Sequence, residues 1–278
     1  MTHPSTPDST PRIAFIGGGN MASAVVGGLL RAGHPPARIL VVEPWTVQAE
    51  VLRTKFGVAV AAAADESLRG VDIVVWAVKP QMFAEAAAPC AAWVGGALQL
   101  SVMAGIRSDA IVRATGSERV VRSMPNTPAL IGEGIAGLFA RAAVSDADRA
   151  AVEAVLAPTG ESLWVADEAD LDAVTALSGS GPAYVFFFVE AMMQAAVAMG
   201  LDAGQGRRLA LATFKGATSL ARASDDPPET LRARVTSKGG TTHAAITAME
   251  AAGVKPAIVQ AVLAAQARAK ALGDEFGG

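Results

Sequence analysis

Short runs of nearly unbroken apolar residues alternate with Ala-rich stretches of helical period through the first 165 or so positions, and then the short runs stop. They are IAFIG (13–17), ILVVE (39–43), DIVVWAV (72–78), LQLSV (98–102) and RVVRSM (119–124). A strand without a polar face has to be covered on both faces, so these runs predict a parallel sheet between helical layers. Strands alternating with helices imply βαβ units with right-handed crossovers. After Asp167 the pattern predicts helix alone, over 169–176, 182–199, 204–223, 241–252 and 255–272. Breaks are expected at Gly200, at DDPPET (225–230) and at SKGGTT (237–242). The fold class is therefore α/β: a doubly wound, mostly parallel sheet over residues 12–167, followed by an all-helical domain over 168–278.

One stretch of the second half stands out. LSGSGPAYVFFFVEAMMQAA (177–196) sets Ser178, Gly179, Ser180 and Gly181 against a run that is apolar almost all round. The small residues read as a turn that permits close backbone approach, and Pro182 as a helix start with preset φ. From Tyr184 to Met199 the run approaches membrane-spanning length, but Glu190 and Gln194 interrupt it, and a helix buried in protein is expected. A helix apolar on every side must be covered on every side, so a second subunit is expected to complete the cover.

Composition narrows the partner. A formal net charge of -3 with no Lys/Arg cluster excludes a nucleic-acid footprint or an anionic membrane surface, which leaves a small molecule. The single cysteine, Cys90, permits no intramolecular disulfide, which suits a reducing cytoplasm. The opening MTHPSTPDSTP (1–11) has neither the basic start nor the apolar centre of a signal peptide and reads as a disordered tail.

The chemistry starts where the first run ends. Gly17, Gly19 and Ala22 satisfy G-x-G-x-x-A between a strand and a helix beginning near Asn20, which is the Rossmann-type arrangement for a dinucleotide. Ile16, Gly17, Gly18, Gly19, Asn20, Met21 and Ala22 are the cofactor-binding candidates there. Glu43 closes the second run, where an acidic side chain accepts from the adenosine ribose and repels a 2′-phosphate. That leans the coenzyme towards NADH over NADPH, while a solvated strand-end carboxylate and a contribution from Lys55 keep the choice open. Lys79, in AVKP (77–80), stands at the carboxyl edge of the sheet, as a coenzyme contact or as a solvated turn lysine. MAGI (103–106) and SMPNTP (123–128) end at the same edge. No metal site is expected from His3, His34 and His243, and no G-x-S-x-G elbow occurs, so hydrolase and metalloenzyme readings fail.

Taken in order, GGGNMA, AVKPQ, MAGI, RSMPNTP, LSGSGPAYVF and VTSKGGTT resemble pyrroline-5-carboxylate reductase from residue 12 to about residue 272. The resemblance implies NAD(P)H-dependent reduction of the cyclic imine L-1-pyrroline-5-carboxylate to L-proline, the last step of proline biosynthesis. It implies a helical domain that interlocks with a second subunit in a homodimer, active sites at that interface and, in several members, a decamer of five dimers. Carried over by residue, nucleotide contacts fall on Gly17 to Ala22, on Ala77, Val78, Lys79 and Pro80, and on Met103, Ala104 and Gly105. Substrate contacts fall on Glu168, Ser237, Gly239, Gly240, Thr241 and Thr242, with Thr242 beside the ring nitrogen as the catalytic candidate.

Three positions depart from the family: Lys238 for a common Pro, Ala64 for an Asn near the coenzyme ribose, and Arg234 for another nucleotide-contacting Asn. On residues alone, Thr241 or Thr242 also reads as a helix N-cap. His243 reads as packing, because neighbouring helix residues do not point together. Another imine or β-hydroxyacid reductase of the same plan, and a non-catalytic dinucleotide sensor, are the competing functions.

Overall fold

The protein is described by a computed structural model covering residues 10–276, so the expected tail lies outside the described residues except for its last two positions. Eight strands form one sheet among those residues: β1 (Ile13–Ile16), β2 (Ile39–Val42), β3 (Ala59–Ala61), β4 (Ile73–Trp76), β5 (Leu98–Ser101), β6 (Val120–Met124), β7 (Gly134–Ala140) and β8 (Gly160–Trp164). Their order is β3-β2-β1-β4-β5-β6-β7-β8, and every pair is parallel except β6 with β7. Helices of this region are α1 (Asn20–Arg31), α2 (Thr46–Phe56), α3 (Phe83–Ala87), α4 (Ala91–Val94), α5 (Ser108–Thr115), α6 (Asp146–Leu156) and α7 (Asp170–Val174).

The five apolar runs became β1, β2, β4, β5 and β6, for the reason expected. Ile13 and Phe15 join one core cluster, with Val25 and Leu29 of α1 and Val152 of α6, while Ala14 and Ile16 join another with Phe83 of α3 and Ile111 of α5. Both faces are buried, and the polar residues that do fall in these strands, Gln99 and Ser101 of β5 and Arg122 and Ser123 of β6, are buried with them. Three strands escaped the pattern. β3 is a three-residue edge of Ala and Val that is not fully covered, and β8 is a partly exposed edge. β7 carries Gly134 and Gly137, which weaken a strand signal; a Cβ at Gly137 would stand 2.6 Å from Val174 Cγ1, so the glycine marks close approach of α7.

The chain divides into two compact units, one up to Ser180 and again from Ala265 onward, the other from Gly181 to Ala264. Class changes at Asp167 but packing changes later, because α7 still packs on β7. The second unit holds α8 (Gly181–Ala198), α9 (Ala203–Arg222), α10 (Pro228–Arg234), α11 (Thr241–Ala251) and the first half of α12 (Val254–Phe276). α10 begins inside the DDPPET stretch expected to be a break, since Pro227 and Pro228 are tolerated where helix amides have no partner.

The expected turn over Ser178–Gly181 is instead a widened helical turn. Thr175–Gly179 is π-helical, closed by the Ser180 N–H donating to the Thr175 carbonyl at 2.8 Å, and Pro182 is the second residue of α8. Gly179 allows this: a Cβ there would lie 2.7 Å from Met124 Cε.

α8 has little cover within its own chain. Phe186 is 59% exposed and Phe187 70%, and the helix running from Asp170 to Ala198 is long and apolar enough to span a membrane by length and hydropathy alone. Leu209 and Leu220 of α9 are also exposed, so α8 and α9 both leave large apolar side chains uncovered, as an interaction surface does. Light scattering of the purified chain should give at least a dimer, and Phe187→Glu should shift it towards monomer with a lower melting temperature.

Candidate active site

Strand order reverses between β1 and β4, and the carboxyl ends of those strands frame the crevice where open α/β sheets bind ligands. After β1 the chain turns at Gly17 with φ +95, its N–H donating to Val42 O at 2.9 Å, while the Ala77 N–H donates to Ile16 O at 2.9 Å. A Cβ on Gly17 would lie 2.8 Å from the Ala77 carbonyl oxygen, so the glycine turn and AVKP are in direct contact. Gly19 is the N-cap of α1 without a side-chain cap, and no atom lies within 4 Å of where its Cβ would be. The first amides of α1 thus face open space beside the positive end of the helix, a cradle that fits a pyrophosphate. Asn20 is exposed, Met21 half-buried, and Ile16 and Ala22 lie in the core, where they contribute backbone and close packing.

Glu43 stands against this turn. Its Oε2 accepts from the Gly18 N–H at 2.8 Å and its Oε1 from the Trp45 N–H at 2.9 Å. The carboxylate therefore holds the glycine turn while keeping its charge at the edge of the cradle. Lys55 lies over the Phe56 ring, 5.1 Å from its centroid, in the last turn of α2.

Lys79 is exposed and caps the single 3-10 turn Pro80–Met82, with Ala77, Val78 and Pro80 half-buried beside it. Met103 is a core residue, so only its backbone is available to a ligand; Ala104 and Gly105 are half-buried, and Gly105 has φ +77. In SMPNTP, Asn126 is the residue that the pattern did not single out. Its Nδ2 donates to Ser178 O at 3.2 Å and its Oδ1 accepts from the Ile135 N–H at 3.1 Å, tying the loop to the π turn.

Glu168 is engaged on both oxygens. Oε1 accepts from the Ser108 N–H at 2.6 Å and from Arg122 Nη1 at 2.8 Å, and Oε2 accepts from Ser108 Oγ at 2.7 Å. Burial pushes its carboxyl up, but the Ser108 donors and the Arg122 guanidinium outweigh that and hold it below its ordinary value. Arg107 forms a fork with Asp172 nearby, at 3.3 and 2.8 Å. These partners were missed because only folding brings them together.

The SKGGTT turn belongs to the second unit. Gly239 has φ +76, the Gly240 N–H donates to Ser237 O at 3.0 Å, and Gly240 rather than a threonine is the N-cap of α11. No side chain caps the helix, so the capping reading of Thr241 and Thr242 does not hold, and the first-turn amides remain open. Thr242 is half-buried; Ser237, Lys238, Gly239, Thr241 and His243 are exposed. Among the described residues no group of three His, Cys, Asp or Glu side chains is placed to hold a metal ion.

Two family models match. One, described as NADP oxidoreductase coenzyme F420-dependent, covers residues 12–105, and one, described as pyrroline-5-carboxylate reductase dimerisation, covers residues 168–272. The chain is 43% identical over 271 residues to the pyrroline-5-carboxylate reductase of Pseudomonas aeruginosa, covering 97% of this chain and 99% of that protein. It belongs to the pyrroline-5-carboxylate reductase family. The family's protein from Haemophilus influenzae is 40% identical, with 95% and 98% covered. Among solved structures, the pyrroline-5-carboxylate reductase of Coxiella burnetii matches with a TM-score of 0.89 at 34% identity, covering 95% of this chain and 99% of that one. The Plasmodium falciparum enzyme with NADP bound matches at 0.84 and 29%, covering 95% and 98%. A reductive aminase from Aspergillus terreus, at 19% identity and a TM-score of 0.57, shares the fold alone.

Gly17→Ala should weaken coenzyme binding at least tenfold and cost about 1–3 kcal/mol, because the methyl meets the Ala77 carbonyl at a left-handed φ; fluorescence titration and urea unfolding measure both. Because the folded pKa of Glu168 is lowered, its stabilisation is complete above the unfolded value of about 4.3 and is lost as pH falls through the folded value. Ser108→Ala should therefore lose less melting temperature than the wild type on acidification below about pH 5.

Proposed function

We propose that this chain reduces L-1-pyrroline-5-carboxylate to L-proline, the last step of proline biosynthesis, with NADH or NADPH as donor. The observation that carries the reading is likeness over the whole length, with the dinucleotide rim and the dimerisation half in one chain at 43% identity to a named reductase. The competing sensor and β-hydroxyacid readings have no comparable support.

The reduced nicotinamide, when bound, supplies hydride to the imine carbon. Gly17 to Gly19 and the first amides of α1 take the pyrophosphate, with Ala77 to Pro80 and the Met103–Gly105 turn as the adjoining walls. Glu43 presents a negative charge beside Gly18, where it accepts from the ribose hydroxyls and disfavours a 2′-phosphate, which leans the preference towards NADH. The Plasmodium relative carries NADP, so this preference belongs to Glu43 of this chain and not to the family.

In the helical unit, Ser237, Gly239, Gly240 and the open amides of α11 bind the substrate carboxylate. The Thr242 hydroxyl, not used as a cap, hydrogen-bonds the ring nitrogen. With a protonated imine it orients the ring; with a neutral imine it or a water passes a proton to nitrogen. For Glu168, a substrate contact rests on the family resemblance alone.

The working form is a homodimer with α8 at its core, so that protein rather than lipid covers the apolar helix. Further assembly into five dimers rests on resemblance alone, and a cytoplasmic location on the lone, buried Cys90.

Absorbance at 340 nm, followed with purified protein, pyrroline-5-carboxylate and each coenzyme in turn, should show imine-dependent oxidation; none with either coenzyme overturns the reading. Thr242→Val should lower kcat/KM at least tenfold, ~1.4 kcal/mol, with the melting temperature unchanged. Glu43→Gln should raise the relative preference for NADPH about fivefold, ~1 kcal/mol, in the ratio of kcat/KM values.

A further inference from the structure

We infer that Trp45 is the residue on which the adenine ring of the coenzyme stacks. The inference rests on the reductase reading for the presence of a coenzyme, and on geometry for the place of the indole.

The four tryptophans differ in what engages their rings. Trp76 is fully buried, meets Phe83 edge-on with centroids 5.3 Å apart and donates its indole N–H to Gln99 Oε1 at 2.8 Å. Trp93 lies under Arg69 at 5.2 Å, and Trp164 under Arg149 at 4.5 Å. Trp45 is 61% exposed, and among the described residues neither an aromatic ring nor a cation covers it. An indole left in water is a large apolar plate that another flat ring would bury.

Its place is fixed by the turn that makes the cradle. Trp45 is the N-cap of α2, just beyond the carboxyl end of β2, and Pro44 with its locked φ separates it from Glu43. The Trp45 N–H donates to Glu43 Oε1 at 2.9 Å, Oε2 takes the Gly18 N–H, and Gln48 of the first turn of α2 donates through Nε2 to the Gly18 carbonyl. The start of α2 and the glycine turn are therefore tied at two points.

Two accepted amides leave the Glu43 carboxylate further lone pairs for ribose hydroxyls. In a dinucleotide the purine hangs from that same ribose, on the carbon next to the one bearing the 2′-hydroxyl. A ribose held at Glu43 thus carries its base to Trp45, two residues on. Beyond it, the Glu43 N–H donates to Ala61 O at 2.9 Å, and Ala62 and Ala63, exposed and small, follow β3 and leave room for a flat ring. A protein-docking surface is the rival explanation for an exposed tryptophan. The cavity along α2 is lined by Thr46, Val47, Glu50, Val51, Thr54 and Lys55 and not by Trp45, so the indole belongs to the crevice end of the helix.

Coenzyme binding without substrate reads the role directly. NADH and NADPH are titrated by calorimetry into the wild type, Trp45→Ala and Trp45→Phe, with melting temperatures alongside. Both dissociation constants should rise at least about fivefold in Trp45→Ala, and by the same factor, because the two coenzymes carry the same base; Trp45→Phe should recover most of the loss. ADP-ribose, which has adenine but no nicotinamide, should quench the tryptophan emission of the wild type and quench it less in Trp45→Phe. A smaller rise in Trp45→Ala, a loss confined to one coenzyme, equal quenching in the two proteins, or a fall in melting temperature that accompanies the loss overturns the inference. So does a changed light-scattering mass of Trp45→Ala with unaltered coenzyme constants, which assigns the indole to a protein contact. Should Trp45→Ala fail to fold, the quenching difference decides alone. The titrations need no turnover: a wild type that binds both coenzymes but oxidises neither with the imine loses the reductase reading and leaves the role of Trp45 to be judged by its own constants.

Discussion

The contact on which the coenzyme half depends is the one between Gly17 and the Ala77 carbonyl. Any side chain at Gly17 would push β1 and β4 apart at the point where strand order reverses. With glycine there, the turn passes close enough to AVKP for the first amides of α1 to open onto the crevice. Glu43 completes the arrangement by binding the Gly18 and Trp45 amides, so its acidic charge is built into the turn rather than added at its margin.

The helical half is organised by the opposite constraint, a surplus of apolar surface. α8 is apolar around most of its circumference, interrupted only by Glu190 and Gln194, and its own chain leaves much of it uncovered. Length and hydropathy alone do not distinguish such a helix from one that meets lipid. The family resolves the question, because the matched model over this half is a dimerisation model. A homo-oligomer is consistent with a surface that one chain leaves uncovered.

Within the first unit, arginines and carboxylates cluster around Ser108. The members come from the loop after β5, from β6 and from the segment entering α7, and each charge has an opposite partner within hydrogen-bond distance. Such a cluster contributes less to net stability than to selecting one arrangement of the loops, because misplacing any member leaves a buried charge uncompensated. The π turn at Thr175–Gly179 meets SMPNTP through the Ser178 carbonyl, which Pro182, lacking an N–H, leaves without its helical donor and which accepts from Asn126 instead.

Much of this was legible in the residues. Strands buried on both faces announce themselves as largely apolar runs, and Gly17 and Ala22 mark their turn because only very small residues fit there, while Gly19 leaves open space in front of the helix. The order of six motifs identified the family. Other features depended on partners distant in the chain. Glu168 meets Arg122 across 46 positions and Ser108 across 60, and no local pattern encodes such a pairing. β7 was hidden because Gly134 and Gly137 answer to Thr159 and Val174, neighbours that exist only after folding. The Ser/Gly joint looked like a loose turn, yet it folds as a π turn with Met124 packed against Gly179 and Asn126 bound to the Ser178 carbonyl. Periodicity, composition and small-residue placement are local and so are written in the sequence; which side chain meets which across the chain was decided by tertiary structure, because those contacts join residues that no local pattern links.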